Sequence, residues 1–219
     1  SVILSSTELL EAYGEKWKPT KKADHYARIK LAVGGMTELL DGILVIGRAE
    51  SGKLTCAPTP LDVGRFSRQL IEAFLPTISS KHTFESTIEG DYSDAWADEK
   101  LLNHILSNLL SNAVKYSPKG GHVGFSLTRE GDEAHFRVSD EGIGIPEDDL
   151  ERLFESFHRG GNVGHIAGTG LGLAVVKRAI DAHGGEIRIE SVAGEGTRIH
   201  FSLPLSPPAQ AASAVHAAE

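Results

Sequence analysis

Cysteine is almost absent. Cys56 stands alone, so no internal disulfide can form and a disulfide-stapled secreted scaffold is excluded. Long apolar runs are missing too, and no stretch has the continuous hydrophobicity that a membrane span requires. Basic residues are in the minority: 22 Lys and Arg against 30 Asp and Glu give a formal net charge of −8. They form no basic block, which argues against a nucleic-acid surface. A signal peptide is lacking, and the chain opens on Ser1 instead of Met, so it reads as a piece of a longer protein. What is abundant is glycine, 24 in 219 residues, about half again the usual share of ~7%. At this length one large or two small domains with a sizeable core are expected.

Texture divides the chain into four zones. Residues 1–51 read as a helical hairpin. Ile3, Leu4, Leu9 and Leu10 suit the end of one helix, and Gly14 to Thr20 is a break containing Pro19. In the second helix Tyr26, Ile29, Val33, Met36, Leu40, Ile43 and Gly47 recur at alternating spacings of three and four. That narrow seam belongs to a coiled coil or bundle. Two helices cannot close a core alone, which points to a homodimer forming four. Residues 52–60, with Pro58 and Pro60, read as a linker. Residues 61–205 mix the two periodicities. Helices are expected over Asp62–Phe74, Asp98–Tyr116 and Leu171–His183, and strands over His82–Ile88, His122–Thr128, Ala134–Val138, Glu186–Glu190 and Thr197–Leu203. The expectation is an α+β domain, a mixed sheet covered by about three helices. Residues 206–219, Pro-Pro followed by an Ala-rich stretch, read as a flexible tail.

Three motifs carry chemistry. In Asn108-Leu-Leu-Ser-Asn-Ala-Val-Lys-Tyr-Ser117, helical geometry brings Asn108, Asn112, Lys115 and Tyr116 within about 100° of one another. Leu102, Ile105, Leu106, Leu109 and Leu110 bury the adjoining face. Amide oxygens suit a hard cation such as Mg²⁺, and a lysine adds charge for a phosphate chain; a plain solvated face is the alternative. In Asp140-Glu-Gly-Ile-Gly-Ile-Pro146 a carboxylate ends a strand, and glycines let a flat ligand approach the backbone. An ionised Asp only accepts hydrogen bonds, so it matches an exocyclic amino group and favours adenine over guanine. An ordinary Asp-Gly turn is the competing reading. The third motif, Gly160 to Leu173, runs a glycine-rich loop into a helix N-terminus, an anion site suited to phosphates. Its G-x-G-x-G follows a loop and not a strand, so it is not the dinucleotide fingerprint. Gly47 to Lys53 matches the start of a P-loop, but Leu54 follows where a hydroxyl is needed.

Together these segments resemble the catalytic ATP-binding region of sensor histidine kinases. Asn108–Ser117 resembles that family's N box and Asp140–Pro146 its G1 box. Leu153–Arg159 resembles the F box, Gly168–Leu173 the G2 box, and Gly194-Glu-Gly-Thr197 completes the order. The resemblance implies a two-layer α/β sandwich of the Bergerat type, preceded by the dimerisation and phosphoacceptor hairpin. It implies ATP and Mg²⁺ as ligands, with Asp140 receiving the adenine amino group and Gly142 and Gly144 beside it. Asn108 and Asn112 would hold the metal, Lys115 would contact phosphate, and Tyr116 and Thr197 would line the nucleotide site. Gly168, Thr169, Gly170, Leu171, Gly172 and Leu173 would cap the triphosphate. Phe154 and Phe157 would anchor a lid, or simply belong to the core; Arg159 would help neutralise the γ-phosphate, or simply be solvated. The implied partner is a response-regulator receiver domain and the implied location is cytoplasmic. The family's acceptor, a His followed by an acidic residue and Arg-Thr-Pro-Leu, does not occur in these 219 residues. Ser1-Val-Ile-Leu4 resembles the stretch just after it, so the chain by itself is expected not to autophosphorylate. His25 and the other histidines lack the surrounding pattern. Two rivals remain. One is a hydrolytic ATPase of the gyrase, chaperone or mismatch-repair type, which carries Glu where this chain has Asn108; the other is a non-catalytic ATP-binding scaffold.

Overall fold

The computed structural model describes residues 2–164, 166 and 168–207. The expected flexible tail lies outside them from residue 208 onward. Two compact units are present, one up to Leu44 and one from Val45 onward.

The first unit is helical. Helix α1 (Val2–Tyr13) is followed by a 3₁₀ turn at Gly14–Lys16 and by α2 (Pro19–Glu50), whose last residues belong to the second unit. Pro19 opens α2, where its fixed φ and missing N–H cost nothing. At the connection, Trp17 stacks on Tyr13 (6.3 Å) and His25 (4.8 Å), and the Lys21 ammonium lies 4.1 Å above the indole. His25 is thereby buried. On the seam, Tyr26, Val33, Met36, Leu40 and Ile43 are all exposed.

The second unit contains β1 (Thr59–Pro60), α3 (Val63–Phe74), β2 (His82–Ile88), β3 (Trp96–Ala97), α4 (Glu99–Lys115), β4 (Gly121–Glu130), β5 (Glu133–Asp140), α5 (Glu147–Leu150), α6 (Gly172–His183), β6 (Glu186–Val192) and β7 (Gly196–Pro204). The main sheet has the order β2-β4-β5-β7-β6, with β2 and β4 parallel and every other pair antiparallel. Its inward residues include Val123, Phe125, Leu127, Ala134, Phe136, Val138, Ile199, Phe201 and Leu203. They form one cluster with the apolar stripes of α3, α4 and α6, as strand alternation and helical period require. Phe136 and Phe201 are register partners and stack at 4.4 Å. Helix starts are capped where the sequence offers an oxygen: Asp62 accepts from Arg65 N, and Asp98 accepts from Lys100 N and Leu101 N. Buried His183 donates from Nδ1 to Ala179 O and accepts at Nε2 from Asp98 N, tying the end of α6 to the start of α4.

Three elements escaped the pattern reading. Thr59–Pro60, inside the expected linker, pairs antiparallel with Trp96–Ala97. Such a two-residue ribbon is too short to show alternation, and its edge position tolerates Pro60. Single-turn α5 is equally too short for a periodic signal. Strand β5 runs two residues beyond Val138 and ends on Asp140, in keeping with a carboxylate at a strand end. No helix among the described residues is long and apolar enough to cross a membrane.

Candidate active site

Helix α4 supplies one wall of the site. Leu102, Ile105, Leu106, Leu109 and Leu110 bury one side of it, which leaves Asn108, Asn112, Lys115 and Tyr116 half-buried on the other. The Asn108 amide nitrogen donates to His104 O at 2.8 Å, so its Oδ1 is free to accept. Lys115 Nζ stands 4.8 Å above the Tyr116 ring and makes no ion pair within 4 Å among the described residues. The glycine-rich segment lies directly against this polar face. A methyl on Gly172 would come within 2.8 Å of Asn108 Oδ1, and one on Gly168 within 2.6 Å of Lys115 Nζ. The two sequence motifs, some sixty residues apart, are thus in contact.

The second wall begins at Asp140. Its neighbours in the sheet are Val123 on β4 and Thr197 on β7. Asp140 Oδ1 accepts from Gly142 N at 2.9 Å. Burial pushes its carboxyl up to about 6, partly offset by hydrogen bonds from the Gly142 and Thr197 amides. The following loop is stapled on three sides. Ile143 N donates to Tyr116 O (2.9 Å), Gly194 N donates to Ile143 O (2.8 Å), and Asn162 Nδ2 donates to Gly144 O (2.9 Å). Room is scarce: a methyl on Gly142 would sit 2.3 Å from Tyr116 O. Gly196, at φ +121°, is more constrained still, since a methyl there would sit 2.0 Å from Asp140 O.

The lid residues divide. Thr169 Oγ1 accepts from Leu171 N at 3.2 Å at the start of α6. Leu171 is buried and Leu173 partly buried, so their side chains belong to the core and not to the polar face. Phe154 is half-buried, but Phe157 is a correction: it is 66% exposed and the buried residue of its segment is Leu153. Phe157 takes φ +66°, donating its N–H to Gly170 O at 3.0 Å, and in that turn its ring sits in solvent. Arg159 is exposed and donates to Ile166 O.

One contributor went unread. Ser191 Oγ accepts from Ile145 N (2.9 Å), donates to Gly196 O (2.8 Å) and lies 2.9 Å from Thr197 Oγ1. It joins the Asp140 loop to the β6–β7 turn. Its sequence signal is slight: a small polar residue at the inward position of an alternating strand.

The donor set bears on a metal. No group of three or more His, Cys, Asp or Glu among the described residues could hold one. Two asparagine amides beside a lysine and a glycine-rich helix start do fit Mg²⁺, which takes few protein ligands and completes its shell with phosphate oxygens and water.

A helix face of amides and a lysine, a glycine-rich segment and a buried carboxylate thus lie together on a two-layer sandwich. Residues 97–207 match the family described as "Histidine kinase-, DNA gyrase B-, and HSP90-like ATPase", and the chain belongs to that family. The chain is 35% identical over 173 residues to sensor histidine kinase WalK of Bacillus subtilis, covering 77% of this chain and 28% of WalK. It is 36% identical over 211 residues to the circadian input-output histidine kinase CikA of Synechococcus elongatus, covering 92% and 27%. The chain therefore spans little more than a quarter of either relative. Among solved structures, full-length ShkA in complex with AMPPNP superposes with a TM-score of 0.67 at 25% identity, covering 94% of this chain and 43% of that one. The domain is a histidine-kinase-type ATPase catalytic domain, homologous to those of two-component sensor kinases.

Proposed function

We propose that the chain binds Mg-ATP between α4 and the glycine-rich segment and passes the γ-phosphoryl to a histidine nitrogen, for relay to a response-regulator aspartate. Asp140 accepts the adenine amino group, oriented by Gly142 and Thr197 with Gly144 closing the loop behind it. Lys115 and the N–H groups of Gly168–Leu173 hold the phosphates, Tyr116 and Phe154 line the site, and Asn108 and Asn112 present amide oxygens to the metal. Bound Mg²⁺ supplies charge neutralisation. The protein's share of an in-line transfer is positioning and further neutralisation, to which Arg159 contributes once released from Ile166. The AMPPNP held by ShkA supports an adenine nucleotide here.

The observation that carries the reading is Asn108. A water-activating ATPase needs a general base at that place, and an amide cannot serve as one. Residues 1–51 act as the dimerisation hairpin, joined through 52–60 to the catalytic residues 61–205, in the cytoplasm. The acceptor histidine lies outside these 219 residues. His25, buried in its aromatic stack, is not that acceptor.

Calorimetry and radiolabelling test this. ATP is expected to bind in a magnesium-dependent way and well ahead of GTP; equal affinity for GTP removes the assignment of Asp140. Incubated alone with γ-labelled ATP, the chain is expected to gain no acid-labile, base-stable label. It is expected to label in trans a helical hairpin that carries a phosphoacceptor histidine. Labelling of the chain unaided, or none of the hairpin, overturns the transfer proposed.

A further inference from the structure

Strand alternation leaves the sheet a second face, turned away from α3, α4 and α6. On it the register places Arg137 of β5, His200 of β7 and Arg188 of β6 side by side in one row. The adjoining row carries Ser139, Arg198 and Glu190. Three arginines and a histidine thus occupy neighbouring positions on three strands, in a chain of formal net charge −8. Arg137, Arg188 and Arg198 are exposed. None makes a hydrogen bond or an ion pair within 4 Å among the described residues, although Glu190 is registered opposite Arg198. By contrast, Arg129 at the other end of β4 and β5 is held by Asp94 and by the carbonyls of Asp91 and Gly131. Burial holds His200 below its ordinary value; Glu190 opposes this, and Arg137, Arg198 and Arg188 each add a smaller lowering effect. His200 separates Arg137 from Arg188 in the register, and only Arg198 has a carboxylate, Glu190, registered opposite it, so Arg137 and Arg188 have no cross-strand charge partner.

Size and surroundings identify what it fits. Strands lie about 4.8 Å apart and same-face residues about 7 Å apart, so the cluster spans roughly 10 by 7 Å. Exposed Glu85, Glu133 and Glu186 frame it on the same face. A duplex or an anionic bilayer laid over it would bring its phosphates onto those carboxylates within a Debye length of about 8 Å. A segment with two or three carboxylates would not. Arginine forks pair with carboxylates in bidentate fashion, and the short side chains of Ser126, Ser139 and Ser202 leave the guanidinium groups standing clear. We infer that this face docks a short carboxylate-rich segment of a partner protein through Arg137, Arg188 and Arg198.

The test titrates the full chain with a fluorescent hexaglutamate peptide, followed by anisotropy and by amide NMR shifts. Saturable, salt-sensitive binding is expected, with shifts centred on Arg137, Arg188, Arg198 and His200. The triple variant Arg137→Gln, Arg188→Gln, Arg198→Gln is expected to weaken it about tenfold without altering ATP affinity. Arg188→Glu, on the edge strand alone, gives the same reading if the triple variant folds poorly. Absent or scattered shifts, or unchanged affinity in the variants, overturn the inference. So does tighter binding of duplex DNA or phosphatidylserine vesicles through the same arginines.

Discussion

Helices α2 and α4 each carry an apolar stripe beside a polar face, yet they end in opposite states. In α4 the stripe is spent within the chain: Leu102, Ile105 and Leu110 have no exposed surface at all. In α2 the seam of Tyr26, Val33, Met36, Leu40 and Ile43 is about half exposed throughout. A stripe wide enough to meet a sheet and two helices builds a self-sufficient domain, whereas a narrow a/d seam needs another helix of its own kind. The difference also locates the chemistry. A helix fixed by one face can hold out precise polar groups on the other, and α4 does so with Asn108, Asn112, Lys115 and Tyr116.

Substitution on the two stripes tests the contrast most severely. Leu106→Ala is expected to cost the α/β unit about 2–5 kcal/mol, read from hydrogen exchange of β5 amides. Met36→Ala with Leu40→Ala is expected to leave that exchange within about 0.5 kcal/mol while shifting self-association to higher concentration in sedimentation. Equal effects on β5 would break the comparison.

Asp140→Asn comes next. Loss of a charged acceptor is worth about 1.5–3 kcal/mol, so ATP affinity is expected to fall at least about tenfold. The same change is expected to raise the melting temperature at pH 7. The sign follows from burial. With the folded-state carboxyl near 6 and its ordinary value 3.8, the native state keeps a proton that the unfolded chain has released between those values. Its stabilising effect is therefore full below about 4 and lost as pH rises through about 6. The variant's gain should shrink as pH falls towards 4, and a gain that grew on acidification would refute the account. Gly172→Ala is milder. It is expected to reduce ATP affinity several-fold by crowding Asn108, with little change in melting temperature, because the atom met first ends a movable side chain. Ser191→Ala is the smallest, about 1 kcal/mol of stability, and should bring slower ATP association if the Asp140 loop loosens as its hydrogen bonds imply.

The parts legible in the sequence were those with a period or a motif. Helix α4 gave both its buried leucines and its polar face from spacing alone, and alternation marked the strands that became β4 and β5. Two things were not legible. The resemblance of Leu153–Arg159 to the F box makes Phe157 a lid anchor, and only its backbone, bent to meet Gly170, puts the ring outside. Ser191 has no motif, since its role depends on Ile145 and the Gly196-Thr197 pair arriving from two other segments. The ribbon of Thr59–Pro60 with Trp96–Ala97 likewise rests on a meeting of distant residues, which no local pattern encodes.

Gly196 shows where such a molecule is least forgiving. Asp140 O occupies the space a side chain there would need, and one residue further on Thr197 sets both the β5–β7 register and the orientation of the Asp140 carboxylate. An added methyl would therefore act twice, prising two central strands apart and retuning an acid, though it touches no ligand. A mutational survey of this domain should accordingly find its emptiest position not at a residue that contacts nucleotide, but at a hydrogen atom behind one.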